Sequence, residues 1–145
     1  MTEALRLELL RSLIGKPWVA NAKGPDAYDC WHLTKHVEKQ LFERCVPEII
    51  VPEVPTWPWM IEQFTEHSEL KNWVECPYVA GGIVNASDGA IVLMARYRQP
   101  AHCGVWLQKE RGVIHAEERD GVTFMDLTTL RSTGWAKLRF YEPRV

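Results

Sequence analysis

The chain lacks any long uninterrupted apolar run. Glu3, Arg6 and Arg11 break the leucines of residues 1–14, so neither a signal peptide nor a membrane span is read there and synthesis in the cytoplasm is expected. Charge of one sign is also missing. With 17 basic and 19 acidic residues and a net charge of -2, there is no basic field to hold nucleic acid or an anionic membrane, and neither is expected as a partner. Cysteine is sparse: Cys30, Cys45, Cys76 and Cys103 form no C-x-x-C pair, so reduced thiols are the default. A zinc site from Cys30, His32 and distant ligands matches none of the usual spacings, and His36, one helical turn from His32, reads as solvated beside Lys35, Glu38 and Lys39. No metal and no cofactor is expected. Repeats, low-complexity tracts and linkers are absent as well, which points to a single domain over residues 1–145. A chain of that size buries about 68 to 70% of its unfolded surface, enough for a core without staples.

The patterns that are present read as α+β. Residues 2–14 suit an amphipathic helix with Leu5, Leu9 and Leu13 on one side. Gly15, Pro17, Gly24 and Pro25 force an irregular approach to a second helix over about residues 30–43, where Leu33, Val37 and Leu41 recur at helical spacing. Pro47, Pro52, Pro55 and Pro58 rule out an interior strand and suggest a covering loop before a helix near 59–73. Trp57, Trp59 and Trp73 lie there, as platforms for flat surfaces or as core. The run from Ala90 to Tyr97 reads as a central strand buried on both faces; strands near 101–107, 112–117 and 137–142 complete an antiparallel sheet, and Met125 to Leu130 suits a short helix.

Three residues carry the chemistry. Asp29 is a good N-cap, which puts Cys30 in the first helical turn, where the positive end of the dipole and a nearby imidazolium favour a thiolate. Taken alone, Cys30 would be a small buried hydrophobe. In the run from Ala101 to Gln108, alternation puts His102, Gly104 and Trp106 on one face, and Cys103, Val105 and Leu107 on the other. Val113 to Ala116 pairs back with it. A turn about Gln108-Lys109 sets His115 directly opposite His102, whereas one about Glu110-Arg111 keeps the shared face and slides the two apart. A cysteine at a helix start with two histidines on one strand face is the pattern of a thiol nucleophile, its base and an orienting group.

The ordered motifs Gly15-Lys16-Pro17-Trp18, Asp29-Cys30-Trp31 with Leu33, Asp88 to Met94, His102 to Leu107 and Val113 to Ala116 resemble those of NlpC/p60 cysteine peptidases, over about residues 15–142. They are most similar to the compact versions carried by phages and prophages. The resemblance implies a papain-like NlpC-type fold, with N-terminal helices packed on a central antiparallel sheet. It implies Cys30 as nucleophile, His102 as general base and His115 as the residue orienting it, with Trp18 and Trp31 at the oxyanion or substrate site. The implied substrate is the peptidoglycan stem peptide, cut between γ-D-glutamate and the diamino acid. A tail-associated enzyme with phage tail proteins as partners would follow, delivered to the cell wall. Three positions depart from the family pattern: His32 replaces a glycine, Trp18 a tyrosine, and Ala90 follows Asp88-Gly89 where a Gly-Asp pair is usual. Two alternatives remain: a related thiol amidase or acyltransferase, and a non-catalytic tail or cell-wall binding module.

Overall fold

The computed structural model describes residues 1–79, 83–97 and 100–144. Three helices, α1 (Glu3–Leu13), α2 (Cys30–Phe42) and α3 (Trp57–Glu66), precede the sheet. The strands are β1 (Trp73–Cys76), β2 (Tyr78–Val79), β3 (Ile83–Val84), β4 (Ile91–Ala95), β5 (His102–Leu107), β6 (Gly112–Glu117), β7 (Gly121–Asp126) and β8 (Lys137–Pro143), with α4 (Leu127–Ser132) between the last two. Six of them form one antiparallel sheet in the order β1-β8-β4-β5-β6-β7, and β2 and β3 pair separately. This is the expected α+β fold, helices on a central antiparallel sheet.

Both faces of the sheet are covered. Leu33 and Val37 of α2 pack with Val105, Leu107, Ile114 and Ala116, while Trp106, Val113, Val92 and Met94 face the other way, against Leu130 of α4, Trp135 and Phe140. Such double coverage explains why β4, β5 and β6 are buried along their whole length.

The structure corrects several sequence expectations. The third helix ends at Glu66, and residues 73–76 form an edge strand on β8. Residues 121–126 form β7, paired with β6, so the helix expected from Met125 starts only at Leu127, where the Asp126 carboxylate accepts the Thr129 N–H at 2.8 Å. On α1 the buried stripe is Arg6, Leu10 and Leu13, with Leu5 exposed. Arg6 is turned inward by ion pairs of 2.6 Å to Asp88 and 2.6 Å to Glu110. Glu110 lies in the β5–β6 turn, so the buried arginine ties α1 to the hairpin that carries both histidines.

Candidate active site

The local sequence delivers Cys30 to the sheet in a fixed pose. Tyr28 N–H donates to Pro17 O at 3.1 Å and Asp29 N–H to Ala22 O at 3.1 Å, which holds the irregular approach. The Asp29 carboxylate caps α2 by accepting the His32 N–H at 2.7 Å. Among the described residues, the backbone N–H groups of Cys30 and Trp31 have no protein acceptor, so they are the donors a developing oxyanion would meet. Cys30 is 8% exposed and lies in the apolar cluster of Trp31, Ile49, Met60, Phe64, Ile91, Leu93 and Cys103.

Cys30 and Cys103 line one crevice, and the neighbouring Cys30 thiol, together with burial, pushes the Cys103 thiol well above the ordinary thiol range. Thr34 ties the same spot together, donating to Cys30 O at 3.0 Å and standing 3.6 Å from the Cys103 sulfur. A crevice over the two sulfurs is walled by Ile49, Val51, Trp59, Met60 and Phe64. Its free volume of about 10 Å³ is room for a single water.

The histidines meet on the opposite side of β5. The register pairs Gly104 with His115 across a turn centred on Lys109-Glu110. That is the register between the two expected ones, so His115 lies diagonal to His102 rather than directly opposite. The long side chains still meet: His102 Nε2 is 3.0 Å from His115 Nδ1. Gly104 is what admits this, because a Cβ there would stand 2.9 Å from the His115 Cβ and 2.7 Å from Ile114 O. The space beside His102 is thus filled by its partner.

Trp135 stacks on His102 with centroids 5.2 Å apart, and the Arg96 guanidinium covers Trp135 at 4.0 Å. Arg96 is itself anchored by Glu117 at 3.0 Å and Thr133 O at 2.9 Å. Burial, then the His115 ring and the Arg96 charge, drive the His102 pKa well below the usual imidazole value. Burial and Arg96 lower His115 to about 4. Both rings are therefore neutral near pH 7, which leaves His102 able to accept a proton.

The nitrogen that can do so is Nδ1. It has no hydrogen bond among the described residues, which leaves its lone pair available. In the base-competent tautomer, His102 Nε2–H donates to His115 Nδ1 and the proton of His115 sits on Nε2. That Nε2 is buried without a partner among the described residues, a cost of about 1–3 kcal/mol that the fold carries to keep the pair.

The structure therefore brings His102 and His115 together and brings Cys30 to Cys103, the next residue along β5. Among the described residues the Cys30 thiol makes no hydrogen bond to either histidine. Trp31 is 2% exposed and its one side-chain N–H is used on Pro47 O at 3.0 Å, so the indole has no donor left for an oxyanion. Trp18 is half-buried against the cluster of Leu10, Leu13 and Tyr28, and not against the one containing Cys30. Its backbone pairs with Tyr28.

His32 is buried, its Nδ1 2.8 Å from Asp29 and its Nε2 on Glu48, which Lys35 also holds at 2.8 Å. Its ring thus ties the α2 start to the covering loop. His36, expected in solvent, is half-buried with its ring 5.4 Å from that of Tyr28. Sequence reasoning missed Trp135, Arg96 and the role of Cys103. Alternation gave the face of Cys103, but nothing local marked its contact with Cys30.

No protein-family model matches the sequence, and no curated protein does. By structure the chain is similar to the crystal structure of the NlpC/p60 domain of the peptidoglycan hydrolase SagA, with a TM-score of 0.55 and 18% identity over 97% of each chain. It has the NlpC/p60 fold.

Proposed function

We propose that this chain is a cysteine-type hydrolase of bacterial peptidoglycan, cutting amide bonds of the stem peptide. The observation that carries the reading is the hydrogen-bonded pair His102–His115 on an NlpC/p60 fold, one residue along β5 from the point where the helix-capped Cys30 meets the strand. The Cys30 sulfur turns from Cys103 to His102 Nδ1, a change of side-chain rotamer at the end of the strand. His102 takes the thiol proton and the sulfur attacks the amide carbonyl. The Cys30 and Trp31 N–H groups receive the oxyanion, and His102 returns its proton to the leaving amine. Water then cleaves the thioester by the same route. His115 holds the ring angle and tautomer throughout.

The finer reading is an endopeptidase of the γ-D-glutamyl-diamino acid bond, in a single catalytic domain of phage or prophage origin. Its support is the motif resemblance, whereas the neighbour's description as a peptidoglycan hydrolase supports the coarser reading.

The test is incubation with purified cell-wall fragments followed by mass spectrometry. We expect new free termini at the γ-D-glutamyl-diamino acid bond with the wild type and none with Cys30→Ala. Fragments that stay intact under reducing conditions, with folded protein, would overturn the hydrolase; cleavage at another stem bond would overturn only the finer assignment.

A further inference from the structure

The Cys30–Cys103 contact has a consequence that neither the fold nor hydrolysis requires. Two reduced cysteines share one crevice and one apolar cluster, and the Thr34 hydroxyl joins them, donating to Cys30 O at 3.0 Å and standing 3.6 Å from the Cys103 sulfur. They come from elements far apart in sequence, the start of α2 and the start of β5. The other two cysteines are elsewhere: Cys45 is exposed, and Cys76 belongs to the cluster on the opposite face of the sheet. Cys30 is the reachable member of the pair at 8% exposure, against 0% for Cys103.

We propose that Cys30 and Cys103 are a reversible oxidation site, in which a small peroxide converts the nucleophile into an intramolecular disulfide that silences the enzyme and protects it from irreversible damage. In the first step the Cys30 thiolate attacks one oxygen of the peroxide; the S–O bond forms, the O–O bond breaks and hydroxide leaves, giving the sulfenic acid. In the second step the Cys103 thiol displaces that hydroxyl as water and the S–S bond forms. Two thiol protons and two electrons pass to the peroxide, which leaves as two waters (or water and the alcohol), and a dithiol reductant reverses the change. The high pKa of Cys103 keeps it a protonated thiol, so Cys30 reacts first and Cys103 resolves. The silencing rests on Cys30 being the nucleophile of the proposed hydrolase. Formation of the bond does not.

Treatment of the folded protein with hydrogen peroxide, followed by alkylation and peptide mapping, reads the bond directly. We expect a Cys30–Cys103 linked peptide with a loss of about 2 Da, restored by dithiothreitol. Activity after peroxide should return on reduction in the wild type. In Cys103→Ala or Cys103→Val, where the sulfenic acid has no resolving thiol and proceeds to the sulfinic acid, recovery should be roughly tenfold lower. The second variant fills the site should the first loosen the core. Absence of the linked peptide, or equal recovery without Cys103, would overturn the proposal. A linked peptide in a protein without cleavage activity would instead remove only the hydrolase reading.

Discussion

The two sides of β5 meet different kinds of neighbour. Towards α2 the strand presents Cys103, Val105 and Leu107, which pack in two apolar clusters, with the Thr34 hydroxyl 3.6 Å from the Cys103 sulfur. Away from α2 it presents His102 and Trp106, and what meets them includes a second histidine, a stacked tryptophan and an arginine. Side-chain alternation makes the division, because a strand sends neighbours to opposite faces. The proposed nucleophile, Cys30, lies on the packing side and its proposed base, His102, on the polar side, so any chemistry between them would fall at the end of the strand, at residues 102 and 103.

The largest expected effect comes from the polar side. His102→Ala removes the base and should lower turnover by about 10² to 10⁴ while leaving Cys30 reduced and packed. Next is His115, which acts through His102. His115→Ala should lose part of that factor, and His115→Gln or His115→Asn, which keep a hydrogen-bonding atom near the ring, should retain more. Thermal unfolding recorded alongside separates positioning from folding. Full turnover in folded His115→Ala would show that the pair is packing only.

A smaller effect follows from pH. The folded pKa of His115 lies at about 4, below the unfolded value of about 6.5, so the unfolded state binds the extra proton first. Stability is whole above the unfolded value and is lost as pH falls from about 6.5 towards 4, by roughly 3 kcal/mol for this group. His102 adds loss of the same sign. Unfolding midpoints of the wild type and His115→Gln across this window measure it, and the variant should show the shallower fall. On the packing side His36, half-buried against Tyr28 and lowered by burial, adds a loss of the same sign to both proteins; parallel slopes in the two would show that His115 contributes none of its own.

The smallest effect on activity is expected at His32, which touches neither side of β5. His32→Gly should keep turnover within roughly tenfold, yet cost about 1 kcal/mol in helix propensity plus the bridge from Asp29 to Glu48. A loss approaching that of Cys30→Ala would mean the bridge positions the nucleophile. Equilibrium denaturation and turnover of the same preparation decide between these.

How much of this the sequence revealed follows the range of the forces involved. The start of α2 was legible because its cap is local, the Asp29 side chain being bound three residues on. The shared face of His102 and His115 was legible because strand alternation is local too. The register was not, since turns one residue apart in centre keep the same face. α1 misled because Leu5 looked interior and Arg6 exterior, and only ion pairs to Asp88 and Glu110, remote in sequence, reverse them. β7 went unread because Phe124 points outward while Met125 is buried, which spoils the apolar alternation. The placement of Cys30 beside Cys103, and of Trp135 over His102, depends on how α2 and the segment after α4 pack on the sheet, and no short window encodes that.

The central claim is that Cys30 and His102 act as nucleophile and base although they occupy opposite sides of one strand. Its most direct test is the iodoacetamide labelling rate of each cysteine at mildly acidic pH, in reduced wild type and in His102→Ala, mapped by mass spectrometry. Exposed Cys45 makes no hydrogen bond among the described residues, and Cys76, pushed up to about 12 by burial and Glu142, stays a thiol. We expect Cys30 to label fastest in the wild type and to slow by at least about tenfold in His102→Ala, with the other three unchanged. Labelling of Cys30 no faster than Cys45, or a rate indifferent to His102, would contradict it.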